Sequence, residues 1–374
     1  MSGVGATDEA SSRRACDACL RRAWLVARLS GHIERAWAGR RPLPTVLALP
    51  DGELIAALAG SQREQIELEY DRFDAQAARS RCRERDVVAI CRCDARYPAG
   101  LRVLPDAPAA LHIAGALARF ERWTAGDCVA IVGARRATPY GIERARTLAR
   151  GVASVGVCVV SGLALGVDSA AHAGALDAGG PTIAVLAGGP DRAYPASKRH
   201  LHRRIISDGV VISEMPPGAV ARRWGFPARN RIIAALSQLT VVVEAGERSG
   251  SLITATLALD LGRDVGAIPG LVTAPLAAGT NGLIADGARL VRGPEDVIDA
   301  LFGADGPTLA PVGERETLPR DLSELLDRVG SGEDTVAALA GDGSGIDAVL
   351  AGLAQLELRG CVRRTAGGRY ARVS

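Results

Sequence analysis

The sequence predicts an α/β protein built around a doubly wound, mostly parallel sheet, and two observations carry that expectation. Six short apolar runs have the continuous hydrophobicity of strands buried on both faces: Cys128–Val132, Val157–Val160, Thr182–Leu186, Val210–Ile212, Thr240–Val243 and Val265–Ile268. Helical stretches or long loops separate them, so each crossover can return the chain to the same edge of a parallel sheet.

The flanking elements follow in order. Residues 1–12 are small and polar and are expected to form a disordered tail. From residue 13 to residue 86 the pattern is helical. Leu20, Ala23, Trp24 and Ala27 recur at helical spacing, as do Ile66, Tyr70, Phe73 and Ala77. Ser61 followed by Glu64 reads as a capping box for the second of these helices. The α/β domain spans 87–302, and a linker rich in Gly, Pro and Ala spans 303–317. Residues 318–374 read as two helices, a longer helix at Ile346–Leu358, and two short strands around Gly367-Gly368, the order of a winged helix.

With 374 residues and 48% apolar composition, the chain can bury several packed cores. Forty-five basic and 42 acidic side chains leave a net charge of +3, too small to announce a nucleic-acid partner, so any such case rests on where the charges sit. Lys198 is the single lysine. There is no secretory pattern and no run of ~18 apolar residues, so the expectation is a cytoplasmic protein without a membrane span. Eight cysteines lack the density of a disulfide scaffold and fit reduced thiols. Cys16-x-x-Cys19 and Cys91-x-Cys93 supply four thiolates. The second spacing is unusual and the pairs lie far apart in the chain, so inert cysteines and no metal are expected.

In an open α/β sheet, ligands sit outside the carboxyl ends of the strands, and the distinctive segments fall there. The first loop runs from Gly133 through Ala134, Arg135, Arg136 and Thr138 to Gly141, and the second from Ser161 through Gly162 to Gly166. The third opens at Gly188-Gly189 and ends at Tyr194-Pro195. Glu214–Gly218, Glu247–Ser251 and Pro269-Gly270 close the series. Gly133, Gly162, Gly166, Gly188 and Gly189 are the positions where a phosphate could approach the backbone. Thr138 is suited to cap a helix that begins at Pro139, leaving free N–H groups beside Arg135 as an anion site. Ser249-Gly250-Ser251 offers the same chemistry.

Two segments concentrate positive charge without acids. Residues 192–204 hold Arg192, Lys198, Arg199, Arg203 and Arg204; residues 222–231 hold Arg222, Arg223, Arg229 and Arg231, interleaved with Trp224 and Phe226. Only 3% of the chain is aromatic, so two rings in a basic segment suggest cations for a backbone and rings for base stacking, as a single-strand groove needs. Asp168 and His172, one helical turn apart, are expected to serve capping and packing. No G-x-x-x-x-G-K-[ST] loop is present, and no catalytic set or cofactor is expected.

These loops resemble the DNA-processing protein A (DprA/Smf) family over residues 97–301. The resemblance rests on Tyr97-Pro98, Val129–Arg135, Thr138–Gly141, Val160–His172, Tyr194-Pro195, Pro216–Gly218, Phe226–Ile233, Arg248–Ala255, Pro269-Gly270 and Gly279–Asn281. It implies an extended Rossmann-like fold that binds single-stranded DNA, dimerises, and hands the strand to the RecA recombinase in transformation and recombination. The family's DNA contacts carry over to Arg135, to Lys198 and Arg199 after the Tyr-Pro pair, and to Arg229, Asn230 and Arg231. Two positions depart: Ala134 stands where serine is usual, and Lys198 aligns with an asparagine. Leu283-Ile284 and Val297-Ile298 are candidate dimer surface. The rival reading, a nucleoside-monophosphate-cleaving enzyme, needs a continuous Pro-Gly-Gly-x-Gly-Thr loop, which here is split between Pro269-Gly270 and Gly279-Thr280.

Overall fold

Nine strands form one sheet among the described residues: β1 (Val87–Cys91), β2 (Ala110–Gly115), β3 (Cys128–Val132), β4 (Cys158–Ser161), β5 (Thr182–Val185), β6 (Val210–Ser213), β7 (Leu239–Val242), β8 (Asp264–Ala267) and β9 (Arg289–Leu290). Their spatial order is β1-β2-β6-β5-β4-β3-β7-β8-β9. From β6 to β9 every neighbouring pair is parallel; the β1–β2 hairpin joins β6 antiparallel. The six expected strands are present within a residue or so of their predicted bounds. The order turns back at β3: β4 to β6 extend one way and β7 to β9 the other. The carboxyl ends of β3 and β7 therefore flank a topological switch point, where a doubly wound sheet opens a crevice.

The computed structural model describes residues 15–303, 306–307, 319–341, 345–358 and 361–372. The expected tail lies outside these residues, as does most of the expected linker. Two compact units divide at residues 309 and 310. In the first, β3 to β7 are buried along their whole length, which explains their unbroken apolar sequences. Ile131, Val129, Val159 and Val241 pack beneath the helices Pro139–Ser154 and Val167–Asp177 on one face. Val132, Val160, Ile183 and Ile212 pack against the helix Gly225–Leu236 on the other.

The helices between Asp17 and Arg83 share a core with this body. Leu25, Leu29, Ile33, Leu54 and Ile66 pack with Met215, Trp224 and Ala228, so the boundary expected after residue 86 separates two kinds of secondary structure but not two cores. The capping box at Ser61 and Glu64 does not form. Gly60, at φ +55°, leads into a tight turn over Gly60–Gln62, and the helix Arg63–Asp71 starts behind Gln62 without a side-chain cap.

The second unit contains the helices Arg320–Gly330, Val336–Leu339 and Ile346–Leu358, followed by an antiparallel pair, β10 (Val362–Arg364) and β11 (Tyr370–Arg372). Leu326, Leu339, Leu353, Leu356, Val362 and Tyr370 form its core. No helix among the described residues is long and apolar enough to cross a membrane.

Candidate functional site

A cleft of about 630 Å³ opens at the switch point, and its lining comes from several βα loops at once. Val132, Gly133 and Arg135 follow β3; Ala164 and Asp168 follow β4; Tyr194 follows β5. Arg223, Phe226, Arg229 and Asn230 lead into and through the Gly225–Leu236 helix, and Ser249, Gly250 and Ser251 open the helix Gly250–Asp260. Sequence reasoning placed the loops on one edge, and the fold brings these residues around one concavity.

The aromatic and cationic groups form a platform. Exposed Arg135 lies over the Phe226 ring, 5.0 Å from its centroid. The rings of Phe226 and Tyr194 meet at 5.3 Å with an interplanar angle of 47°, and Tyr194 is 51% exposed. Tyr194, Arg223 and half-buried Trp37 line the cleft but were not singled out as contacts from the sequence. Tyr194 carried a signal, since it is a ring inside a βα loop; Trp37 lies in the helical segment, where spacing could only suggest core.

The two helix starts behave differently. At Ser249 the hydroxyl accepts from the Ser251 N–H, and Gly250 is exposed, so the first turn of that helix faces the cleft. At Thr138 the hydroxyl accepts the Gly141 N–H at 3.1 Å, as expected of a cap. However, the anion site there is filled from within. Glu244, just beyond β7, receives the Thr138 N–H at 2.8 Å and its hydroxyl at 2.5 Å. An internal carboxylate thus occupies the position assigned to a phosphate. The same arrangement ties the two loops of the switch point together, since the Ala134 N–H donates to the Glu244 carbonyl at 2.7 Å.

Several expected contacts are structural instead. Trp224 is 1% exposed; its ring belongs to the core beneath the helical segment and its Nε1–H donates to Ser30 Oγ at 3.1 Å. It cannot stack on a base. Arg231 is buried between Asp106 and Glu214, with ion pairs of 2.7 and 2.8 Å. Burial works against its charge, yet the two carboxylates hold its pKa above the ordinary arginine value. Gly188 and Gly189 are buried, and the Gly189 N–H donates to the Ala219 carbonyl, so the 216–221 segment covers the backbone that was to meet a phosphate. Val297 and Ile298 are core residues, which removes them from the candidate dimer surface; Leu283 and Ile284 are half-buried.

Arg229 occupies an intermediate position. It lines the cleft wall, but its guanidinium donates to the Val185 carbonyl at 2.9 Å and lies 3.7 Å from Asp168. Burial lowers its pKa, opposed by Asp168. A Cβ at Gly162 would fall 1.5 Å from the Arg229 guanidinium, so any side chain there would displace the buried end of Arg229. Gly166 has φ +76°, and a side chain there would strike the Ala134 carbonyl. Both glycines thus shape the cleft wall. Arg136 and Arg199 are exposed and Lys198 half-buried; the three lie outside the lining of the main cleft, on the loop after β3 and at the start of the helix Arg199–Asp208.

Asp168 accepts from the Gly162 and Ala164 N–H groups at 3.2 and 3.3 Å, closing the second loop. His172 is fully buried. The Thr182 hydroxyl donates to the Val159 carbonyl, so His172 Nδ1–H donates to that hydroxyl, at 2.8 Å. Asp168 and His172 have separate partners and do not form an acid–base pair. The split loop of the rival enzyme is also committed internally. Asn281 donates to the Gly270 carbonyl and accepts its N–H, while the Gly279 N–H donates to the Ala245 carbonyl.

The loops that build this cleft coincide with a family match: residues 88–302 fit the family described as DNA recombination-mediator protein A. The chain belongs to that family. A putative DNA processing protein DprA of Mycobacterium tuberculosis is 44% identical over 242 residues, 62% of this chain and 61% of the relative's length. The DNA processing protein DprA of Bacillus subtilis is 36% identical over 243 residues, covering 65% and 80%. The crystal structure of DprA from Streptococcus pneumoniae superposes with a TM-score of 0.61 at 32% identity, over 78% of this chain and 97% of that one. The DprA structure from Helicobacter pylori, reported for its single-stranded DNA binding mode, gives 0.52 at 30% identity, over 57% and 95%. The α/β architecture of this family member is thus the extended Rossmann-like fold of DprA. The chain spans about three fifths of the length of its mycobacterial relative.

Proposed function

We propose that the switch-point cleft binds single-stranded DNA, and that the protein, as a homodimer, protects the strand and delivers it to RecA without performing chemistry on it. The observation that carries the first part is the platform of Arg135, Phe226 and Tyr194 at the mouth of the cleft. Unstacked bases can lie on rings of this kind, while Arg135, Arg223 and the first turn of the Gly250–Asp260 helix address the phosphates. Duplex DNA keeps its bases stacked and cannot use the rings. Lys198 and Arg199 extend the positive surface beyond Tyr194. Recombinase delivery and dimerisation rest on family membership. Two grooves on one strand would lengthen residence by raising the effective concentration of the second contact.

The test is fluorescence anisotropy with single- and double-stranded oligonucleotides of equal length across a salt series. Preference for single strands is expected, with log affinity falling by about 0.7 per phosphate contacted for each decade of salt. Equal affinity for duplex would overturn the proposal. RecA strand exchange on oligonucleotides precoated with single-strand-binding protein tests delivery separately, and acceleration is expected.

A further inference from the structure

We propose that Cys16, Cys19, Cys91 and Cys93 hold a structural zinc ion that staples the first helix to the edge hairpin of the sheet. In the sequence the pairs are far apart, Cys93 lying 77 positions after Cys16, and that separation favoured inert thiols. The fold removes it. All four sulfurs lie within 4.8 Å of one another, and no other group of three or more His, Cys, Asp or Glu side chains converges in this way among the described residues. Cys93 Sγ lies 3.7 Å from Cys19 Sγ and 4.0 Å from Cys16 Sγ. Tetrahedral zinc with Zn–S bonds of about 2.3 Å requires sulfur–sulfur separations of about 3.8 Å. These distances suit a shared metal and are far longer than a disulfide bond.

The backbone explains how so short a second spacing closes. Cys91 ends β1, the Arg92 N–H pairs with the Ala109 carbonyl, and the Asp94 N–H turns back to the Cys91 carbonyl at 2.8 Å, which brings Cys93 round beside Cys91. Opposite, Cys16 precedes the helix Asp17–Arg28, and the Ala15 N–H is anchored on the Ala89 carbonyl. The Cys16 N–H points at Cys91 Sγ at 3.4 Å, a contact that favours sulfur as thiolate. Four thiolates brought this close would repel one another, and a divalent ion removes that repulsion as each thiol releases its proton to water.

The site also lies where the fold is thin. The buried cluster joining this helix to β1 and β2 comprises Ala15, Cys19, Leu20, Ala23, Cys91, Ala109 and Ala110, four of them alanines. So little apolar bulk makes a metal cross-link a large part of the local stability. With four protein ligands the ion has no open position, so its role is structural rather than catalytic. Five strand steps separate β1 from β3, about 24 Å at ordinary strand spacing, so the ion lies apart from the cleft.

The experiment measures metal in the full-length protein purified under reducing conditions, together with cobalt substitution. About one zinc per chain is expected, and exchange for Co(II) should give the intense thiolate charge-transfer and tetrahedral ligand-field bands of four sulfur ligands. The exposed Cys93→Ser variant should lose those bands and lower the melting temperature, while single-strand affinity at low temperature stays within about twofold, given the distance from the cleft. Cys361→Ser, in the second unit, should retain the metal. Wild-type protein that takes up neither zinc nor cobalt, or a cobalt spectrum unchanged by Cys93→Ser, would overturn the assignment. So would a thiol titration of the unfolded chain showing these four cysteines paired as disulfides. If Cys93→Ser does not fold, the wild-type cobalt spectrum still decides.

Discussion

The Arg135 guanidinium, on the loop after β3, stands over the ring of Phe226, in the first turn of the helix Gly225–Leu236, at 5.0 Å, although the two residues are 91 positions apart in the chain. This contact holds the cation beside the ring while leaving the neighbouring Tyr194 ring open. Phe226→Ala should weaken single-strand binding by roughly 5- to 150-fold, the equivalent of about 1–3 kcal/mol for one stacked base. Arg135→Ala should reduce the salt slope by about 0.7, since it removes one phosphate contact. Anisotropy titrations of both variants at three salt concentrations separate the two effects. An unchanged affinity for Phe226→Ala would exclude stacking on this ring.

The contrast between Phe226 and Trp224 shows what the sequence could convey. Composition marked both rings, because aromatic residues are scarce and these lie in a basic segment. Their roles diverge because the helix Gly225–Leu236 begins between them, and the partners that bury Trp224, including Leu29 and Ile33, come from about 190 positions earlier. Periodicity reports burial along one element, not which distant element supplies the cover. The same limit hid the four-cysteine cluster and the Glu244 carboxylate at Thr138. The parallel strands were legible because burial on both faces leaves an unbroken apolar run. β2 was not, since His112 interrupts it, and β9 is only two exposed residues.

Trp224→Ala should therefore act on stability. Removing a ring that is 1% exposed and bonded to Ser30 should cost about 3–5 kcal/mol. Urea denaturation measures it. A variant of unaltered stability with lost DNA affinity would return Trp224 to the binding surface.

Arg231→Met should likewise destabilise, by about 3–5 kcal/mol, because it strands the Asp106 and Glu214 carboxylates without their shared cation. Arg231→Lys keeps the charge but reproduces only part of the fork, so its loss should be intermediate. Equal and negligible losses in both variants would mean that this buried triad contributes nothing to folding.

Stability should fall as the medium is acidified from pH 7 to pH 5. Burial lowers the pKa of His112 to about 4 and of His172 to about 3, while in the unfolded chain each titrates at about 6.5. The unfolded state therefore binds more protons below pH 6.5, and stability present above that value is lost as pH falls toward the folded pKa values. The loss should be roughly 2 kcal/mol per histidine between pH 7 and 5. His32 and His202 shift in the same direction, also through burial first. His172→Asn retains a polar partner for Thr182 and should shrink the pH dependence by about 2 kcal/mol. Parallel urea curves at the two pH values, with no difference between wild type and variant, would show that His172 is solvated.

Deleting residues 310–374 should leave most of the single-strand affinity in place. The second unit has its own core around Leu326, Leu339 and Leu353. Its charges give no surplus for a polyanion: residues 318–374 contain seven basic and eight acidic side chains, 7 − 8 = −1. Two arginines of its terminal hairpin are also engaged internally, Arg369 with Asp334 at 2.8 Å and Arg372 with Asp327 at 3.0 Å. Arg363 and Arg364 remain exposed on β10 and suit a modest duplex contact. The truncated protein should thus bind a single-stranded oligonucleotide within about threefold of the full chain, since the cleft keeps all the cations proposed to meet the strand's phosphates. A truncation that folds, by its melting profile, yet no longer binds would transfer the function from the cleft to the second unit.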